Sequence, residues 1–530
     1  MANENQTTKM HVKVPNLNGF DKSHEHYTTC KTGTLVPILV DEILPNSTIS
    51  LGALANVDMT PFVTEFNGKI DFRLEAFFVP TRTIWGGAMN FFAQQNQYDP
   101  SLPIPAEVPN YTLTPARYGV VNSDIPTLEG YLGMVSNSRF AWDYSALPLV
   151  AYHKVFEDWY RDSRVQKALF VPTDVANNPL ANLPFVQNSP TSPDLTNGVF
   201  ADGKRIYDLR QRLYDRDYFT TANLVNKLDE TLKVDVQDDA FTIQAIRQIN
   251  ALTRFSELLA GVGNRYEDVM KAVYGVYPKG LAHDKSIYLG QTRTRIYNQT
   301  TIRTTNTQID IDDGSGTSSS ASSGDATRNP YGQMAGSSVS NPSGTASNSL
   351  VDNFTTTEHG YLIVLASVVP IASYSTGIRR FLLHKSYPDF GNNLFAGMGN
   401  QPIYSSEVAE NTNTETPFDE IFGWSDRYAE YKYINDRVSC GFRDYRQFSS
   451  FALKRGFSGS TSLSTSFLEI GINDLDDVTV MSGTSYSGSH RLNVGFKYHV
   501  SQPLPSYCIP TLEMLDNQHT EVVNKGGVHL

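Results

Sequence analysis

Apolar and polar residues alternate near the start of the chain in a pattern that predicts short β-strands. Over residues 69–79, "KIDFRLEAFFV", apolar side chains alternate with charged ones, which predicts a strand buried on one face. Two further strands are expected before it, at 34–44 and 47–57, and Pro45-Asn46 between them is a turn signal. The chain therefore opens with several strands in succession.

Strand patterns return in the last third of the chain. In "HRLNVGFKYHV" every second residue from Leu492 to Val500 is apolar, and residues 360–370, "GYLIVLASVVP", form the continuous apolar run of a strand covered on both faces. Strands at both ends with other structure between them indicate one β-structure interrupted by insertions.

The middle of the chain has helical spacing instead. Leu149, Tyr152, Phe156, Trp159 and Tyr160 recur at helical spacing, and apolar residues of 241–260 do the same. Each segment is predicted to be an amphipathic helix whose apolar stripe packs in a core.

Two segments lack any periodicity. Residues 312–349 consist almost wholly of Gly, Ser, Ala, Thr, Asn and Asp, and 171–198 is rich in Pro and Asn. Such compositions offer too little apolar surface to offset the entropy of ordering. We interpret both as long loops on a β scaffold, where recognition residues usually lie.

Composition narrows the function classes. The 530 residues are 40% apolar and 18% charged, and 55 acidic residues outnumber 43 basic ones, for a net charge of -12. Since the chain has no block of five or more basic residues, nucleic acid would have to meet a local basic patch or a separate basic partner protein.

Cysteine usage predicts a reducing compartment. Cys30, Cys440 and Cys508 are far apart and lie in no metal-ligand spacing, so neither a disulfide framework nor a zinc site is expected. No signal peptide and no stretch of about 18 apolar residues is apparent. These features predict synthesis and use in the cytoplasm, or release by lysis.

Candidate chemistry is weak. "GFSGS" (456–460) lacks the last Gly of a nucleophile elbow, and His24 and His26 have no third metal ligand. The acidic run around Asp474 lacks the spacing of a calcium loop. The sequence therefore predicts no enzyme, no cofactor and no metal.

Six stretches resemble one family, the major capsid proteins of the Microviridae, especially the gokushovirus-like branch. In the order of that family they are "FDKSHEHYTTCKTGTLVPILVDEILPNST" (20–48), "FFVPTRTIW" (77–85), "RDYFT" (216–220), "GNRYEDVMKAVYGV" (263–276), "EHGYLI" (358–363) and "FGWSDRYAEYKY" (422–433). The resemblance spans most of the chain, and the last motif is the most specific.

The resemblance implies a mainly β fold, a viral jelly roll of eight antiparallel strands in two sheets with long helix- and loop-containing insertions. It implies a single domain over 1–530, with insertions at about 86–240 and 241–357, a Gly/Ser-rich loop at 304–350 and a C-terminal tail at 501–530.

The family's function is structural. The resemblance implies self-assembly through pentamers into a T=1 icosahedral shell around a circular single-stranded DNA genome, in the cytoplasm of a bacterial host. The implied partners are other copies of the chain, the genome, a small basic DNA-condensing protein, pilot and scaffold proteins, and a host surface receptor.

Residues 421–448 concentrate aromatic and basic side chains. We interpret Trp424, Tyr428, Tyr431 and Tyr433 as a packed, ion-paired structural element. The candidates for DNA contact are Lys432, Arg437, Arg443 and Arg446, and contact with a neighbouring subunit stays an open alternative.

The chain departs from the gokushovirus pattern after "RDYFT". Residues 221–240 are short and lack the family's Leu-Pro-Trp-Pro segment, so the extra length appears at 304–350 instead. We expect that loop, with Gly314, Ser319, Tyr331 and Ser343, at the outer surface, where host contact occurs and proteases would cut.

Two other classes also fit an aromatic-rich β protein with long loops. A bacterial carbohydrate-binding β-sandwich or cupin-like protein would be a monomer or small oligomer with a saturable ligand. A receptor-binding fibre would be a trimer, but the repeated shaft sequence typical of fibres is missing.

Overall fold

The structure is a computed structural model, and most of its regular structure is β-sheet. It describes residues 13–15, 17–59, 68–94, 107–121, 126–134, 139–169, 200, 202–224, 270–271, 273–276, 285–296, 299–300, 334–335, 338–340, 349–396, 399–410, 420–443, 447–459, 461–475, 478, 490–504 and 519–522. The predicted helix at 241–260, the predicted loop at 171–198 and nearly all of 304–350 lie outside these residues.

The strands follow one another along the chain between the helices and loops. In chain order they are β1 (Lys13–Pro15), β2 (Asn18–Asp21), β3 (His24–Cys30), β4 (Val36–Ile43), β5 (Thr48–Asp58), β6 (Ile70–Pro80), β7 (Asn110–Leu113), β8 (Trp142–Ser145), β9 (Ile287–Ile296), β10 (Gln299–Thr300), β11 (Met334–Ala335), β12 (Ser338–Ser340), β13 (Ser349–Thr355), β14 (Gly360–Pro370), β15 (Gln401–Tyr404), β16 (Ile421–Ser425), β17 (His490–Gln502) and β18 (His519–Val522).

The described helices are short. They are α1 (Thr81–Ile84), α2 (Ala88–Ala93), α3 (Tyr118–Val121), α4 (Leu128–Tyr131), α5 (Leu147–Val155), α6 (Ser405–Val408) and α7 (Thr465–Leu468). A turn of π-helix over Phe156–Tyr160 extends α5, so the first predicted helix is confirmed. Its predicted core stripe is wrong at Trp159, which is 46% exposed. None of these helices is long and apolar enough to cross a membrane.

One sheet has six strands. β17 pairs with β5 along one edge and with β3 and β2 along the other, and β5 in turn pairs with β12 and β13; all the pairings are antiparallel. Every second side chain of β17 is buried from His490 to Gln502, which confirms the predicted alternation.

The second sheet has four antiparallel strands in the order β4-β14-β6-β9. All residues of β14 are buried, as predicted for a strand covered on both faces. β9 lies inside the range that sequence analysis assigns to an insertion, yet it pairs with β6 along nine residue pairs from Ile70↔Ile296 to Phe78↔Ile287.

The two sheets face each other across one apolar core. That core includes Leu51 of β5, Phe72 of β6, Val364 of β14 and Phe496 of β17, all of them almost fully buried. Since alternate side chains of a strand point to opposite faces, this core takes one face of each sheet.

A helical layer covers the other face of the four-stranded sheet. Phe77 of β6 and Ile363 of β14 pack in a second core with Leu149, Val150 and Tyr152 of α5. The prediction that 69–79 is buried on one face only is therefore wrong, because all eleven residues of β6 are buried.

The charged residues of β6 are buried in ion pairs. Arg73 Nη1 lies 2.9 Å from Asp215 Oδ1, and Arg212 Nη1 lies 2.5 Å from Glu75 Oε2. The chain segment that contains Arg212 and Asp215 covers this face with matching charges, which is why an alternating pattern typical of a solvated face occurs inside the molecule.

The segment between β14 and β17 forms a third packed region. Its core combines Tyr374, Phe422 and Phe467 with Tyr218 and Phe219 from the "RDYFT" motif. Residues 421–443 and 447–448 belong to this region.

Candidate assembly and nucleic-acid surface

Trp424 lies on β16, a short strand held between two other chain segments. β16 pairs with β15, and the backbone N–H groups of Trp424 and Asn223 donate to each other's carbonyl oxygens over 2.8 and 2.7 Å, respectively. These bonds tie the sequence motifs at 216–220 and 422–433 into one structural unit, with Trp424 half-buried.

Tyr428 is a packing residue. It is 8% exposed and adopts a left-handed backbone with φ of 61°. Its N–H donates to Gln401 Oε1 over 3.0 Å and its hydroxyl donates to the Pro388 carbonyl over 3.0 Å. These contacts hold a conformation that non-glycine residues seldom adopt.

Tyr431 and Tyr433 differ from Tyr428 because they are 60% and 59% exposed. The four aromatic residues predicted as one packed element thus separate into two kinds. Tyr428 is buried and Trp424 is half-buried, whereas Tyr431 and Tyr433 are mostly exposed in the single chain.

A buried carboxylate fixes the base of this region. Arg380 Nη1 donates to Glu407 Oε1 over 2.8 Å, and the Tyr404 N–H donates to the same oxygen over 3.0 Å. Burial raises the pKa of Glu407, and the Arg380 guanidinium opposes that shift.

Arg437 is anchored to backbone. Its Nη2 donates to the Thr376 carbonyl over 3.1 Å and also to the Gly377 carbonyl. Burial and the neighbouring charges of Arg379 and Arg443 lower the pKa of its guanidinium. Arg437 therefore links its own chain segment to the backbone at Thr376 and Gly377.

The other basic candidates lie at the surface. Arg443 Nη2 is 3.1 Å from Glu410 Oε2, with both side chains near half exposed, and Lys432 Nζ is 3.9 Å from Asp426 Oδ2. Such pairs are weak in water, so both cations can exchange partners. Arg446 lies outside the described residues, as do Gly314, Ser319, Tyr331 and Ser343.

A groove of about 1140 Å³ runs beside Arg443. Among the described residues, its charged walls comprise Arg443, Lys454, Arg455, Glu410, Glu469 and Asp474. Arg455 stacks over the Tyr214 ring at 4.1 Å, and the Tyr214 hydroxyl donates to Asp474 over 2.5 Å. Basic groups there face an equal set of acidic ones, so the groove is balanced in charge.

The structure does not strengthen the weak chemical candidates. His24 Nδ1 contacts the Lys22 carbonyl at 2.8 Å and its ring lies 5.3 Å from that of Phe496. Within the described ranges, no three His, Cys, Asp or Glu side chains gather into a possible metal site, and Cys30 and Cys440 are free thiols.

A cluster of exposed apolar side chains lies next to Tyr431 and was not predicted. We name it the aromatic patch; its members are Phe381, Tyr387, Phe390, Tyr431, Tyr433 and Ile434. The only sequence signal is the density of apolar residues in "RRFLLHKSYPDF" (379–390), which has neither helical nor strand periodicity.

Comparisons with known proteins cover nearly the whole chain. A family model described as capsid protein (F protein) matches residues 14–224 and 192–512. Capsid protein VP1 of Chlamydia phage 1 is 22% identical over 97% of this chain and 98% of its own length. The same-named proteins of Bdellovibrio phage phiMH2K and Spiroplasma virus 4 are 23% and 20% identical, covering 85% and 93% of this chain and 87% and 94% of their own lengths.

Proposed function

The chain belongs to the capsid protein (F protein) family of the Microviridae, and from that premise we propose that it assembles into a T=1 icosahedral shell around a circular single-stranded DNA genome. It is a structural major capsid protein of a bacteriophage virion and not an enzyme. The match of the family model over almost the entire sequence is the observation that carries this conclusion.

The fold within the shell is an eight-stranded viral jelly roll in this proposal. Supporting it, one sheet has the partial order β3-β17-β5-β13 and the other the order β4-β14-β6-β9. In chain order these eight strands alternate between the two sheets at every step except from β6 to β9, which are neighbours in one sheet, as in a jelly roll. Residues 1–530 would form one domain, with insertions carried between strands.

The genome is contacted through local groups in this proposal, because the net charge is -12. Arg443 and Lys432 support it, since both are exposed and only weakly paired. A small basic DNA-condensing protein would supply most of the neutralising charge. The other proposed partners are pilot and scaffold proteins and a host receptor that contacts the 304–350 loop. Assembly is proposed to take place in the host cytoplasm.

Sedimentation of the purified chain, with electron microscopy of any fast fraction, tests the proposed assembly. Pentamers or closed shells are expected. A monodisperse monomer that stays unchanged at raised concentration and with added scaffold protein would contradict it and favour the sugar-binding sandwich.

A further inference from the structure

We propose that the aromatic patch is the surface on which a second copy of this chain docks in the shell. The inference rests on the proposed function, because assembly requires interfaces between copies but does not say where they lie.

Exposure singles out this surface. Tyr387 is 71% exposed, Ile434 is 92% exposed, and the other four members of the patch are between 54% and 60% exposed. Leu382 and Leu394, at 63% and 86%, lie in the same chain segment as Phe381 and Phe390, and we include them in the patch from here on. Single chains seldom leave so many large apolar side chains together in water unless they bind something.

The patch is held in shape before any partner arrives. The Tyr431 hydroxyl accepts the Gly391 N–H over 3.2 Å, and the His384 ring stacks on Tyr431 at 6.2 Å and meets Phe390 edge-on at 5.4 Å. Below them the Tyr428 hydroxyl donates to the Pro388 carbonyl. Since two chain segments are already locked together, docking costs little further ordering entropy.

Its area suits a stable interface. If an aromatic side chain presents about 150 to 250 Å², eight large apolar side chains that are more than half exposed present on the order of 800 Å². A standard protein interface buries about 800 Å² on each partner. The patch alone therefore supplies most of one side.

A pocket of about 230 Å³ opens within the patch. Phe381, Tyr433 and Ile434 line it together with Phe219 and Tyr374, and the paired Arg380 and Glu407 lie among its other walls. The apolar part of this lining accepts one protruding apolar side chain, which is the arrangement of an interface hot spot.

The surroundings of the patch favour a second copy over nucleic acid. Around the edge of the patch, the described residues include three exposed basic groups and two acidic groups. The basic ones are Arg379, Lys385 and Lys432, and the acidic ones are the half-buried Asp389 and the exposed Asp426. That small basic excess complements a partner whose own net charge is -12. Five patch residues carry rings on which a base could stack, but the two most exposed side chains, Ile434 and Leu394, are aliphatic and offer none.

The test compares four variants with the wild-type chain. Ile434→Asp and Leu394→Asp place a charge on the patch, and Ile434→Met keeps that position apolar. Leu54→Asp is the matched control, because Leu54 is 54% exposed on the solvent face of the six-stranded sheet. Melting temperature and far-UV circular dichroism of the unassembled chain report folding.

We expect both patch variants to melt within about 2 °C of wild type and to raise the concentration needed for pentamers or shells by at least about tenfold. Ile434→Met and Leu54→Asp should assemble like wild type. Normal assembly of Ile434→Asp would overturn the inference, as would normal shells that retain less single-stranded DNA, or an equal defect in Leu54→Asp. Failure of the wild-type chain itself to assemble would instead contradict the proposed function.

Discussion

Ionisable side chains inside the protein form ion pairs with side chains of opposite charge. Asp71 lies on β6 with 1% exposure, and Arg293 Nε on the neighbouring β9 is 2.8 Å from its Oδ2. Buried ion pairs add little net stability, but loss of one partner leaves a costly unpaired charge. The charged residues Asp71, Arg73 and Glu75 of β6 thus require oppositely charged partners in the chain segments that pack against them.

Two buried histidines make the fold sensitive to acid. Burial lowers the pKa of His490 to about 4 and holds the pKa of His153 well below its usual value. An unfolded chain has histidine pKa values near about 6.5. Between about pH 6.5 and pH 4 the unfolded chain therefore binds a proton that folded His490 does not, and stability falls as the pH falls.

His490→Gln should reduce that acid sensitivity. Between pH 7 and pH 5 the contribution of His490 amounts to about 2 kcal/mol of unfolding free energy, and the variant should lose that much less than wild type in urea titrations at the two pH values. His24→Gln, at an exposed strand end, should behave like wild type. An unchanged loss in His490→Gln would contradict the argument.

Arg443→Ala combined with Arg446→Ala should weaken genome retention, chiefly at raised salt. Loss of two phosphate contacts lowers the affinity for single-stranded DNA and makes the slope of log affinity against log salt shallower by about 1.4. Bound DNA should therefore be released at a lower salt concentration than in wild type. Packaged DNA per particle, measured after washes of increasing salt, reports this effect.

A charge-matched control is Arg491→Ala with Lys497→Ala, which removes two exposed basic residues from the outer face of the six-stranded sheet. Equal DNA retention in the Arg443/Arg446 variant and wild type at all salt concentrations would rule out the proposed contact.

At the scale of elements, sequence patterns locate strands whose two faces differ. The alternation in β17 and the apolar run of β14 predict their positions to within about two residues at each end. β9 is not predicted from the sequence because the second half of "IYLGQTRTRI" has no apolar residue until Ile296. In that half the half-buried residues are Thr292 and Thr294. Burial by a neighbouring layer is not encoded in a strand's own periodicity.

The candidate site is harder to predict for the same kind of reason. The sequence indicates that residues 421–448 are important, but not that Tyr428 turns inward while Tyr431 turns outward. That difference depends on contacts with Pro388 and Gln401, which are distant in sequence. The aromatic patch combines two segments with no repeating pattern, so only the folded chain brings it together.

Substitution of Gly377 tests how closely its chain segment packs against α6. Gly377 has φ of +84°, and a Cβ there would lie 2.0 Å from the Glu407 carbonyl oxygen. Gly377→Ala should therefore lower the free energy of unfolding by more than about 3 kcal/mol, since the strained backbone alone costs about 1 to 2 kcal/mol.

Gly203→Ala is the matched control, because Gly203 has the same φ of +84° and open space around the missing Cβ. It should lose only the backbone contribution in parallel urea unfolding experiments. Equal losses in the two variants would show that the segment containing Gly377 can move away from α6.

At the scale of the whole molecule, the two sheets differ in their surroundings. The four-stranded sheet is covered on both faces, whereas the six-stranded sheet leaves Leu54, Lys497 and His499 of its outer face exposed in the single chain. A protein that closes into a shell needs uncovered surfaces for its neighbours. We assign that role to the aromatic patch and expect the outer face of the six-stranded sheet near Leu54 to tolerate substitution.

A cryo-electron microscopy reconstruction of the assembled particles tests the central claim most directly. We expect a T=1 icosahedral shell around DNA, with one chain per asymmetric unit and eight jelly-roll strands in two facing sheets. Particles of another symmetry, or subunits whose strands follow a different order, would contradict the account.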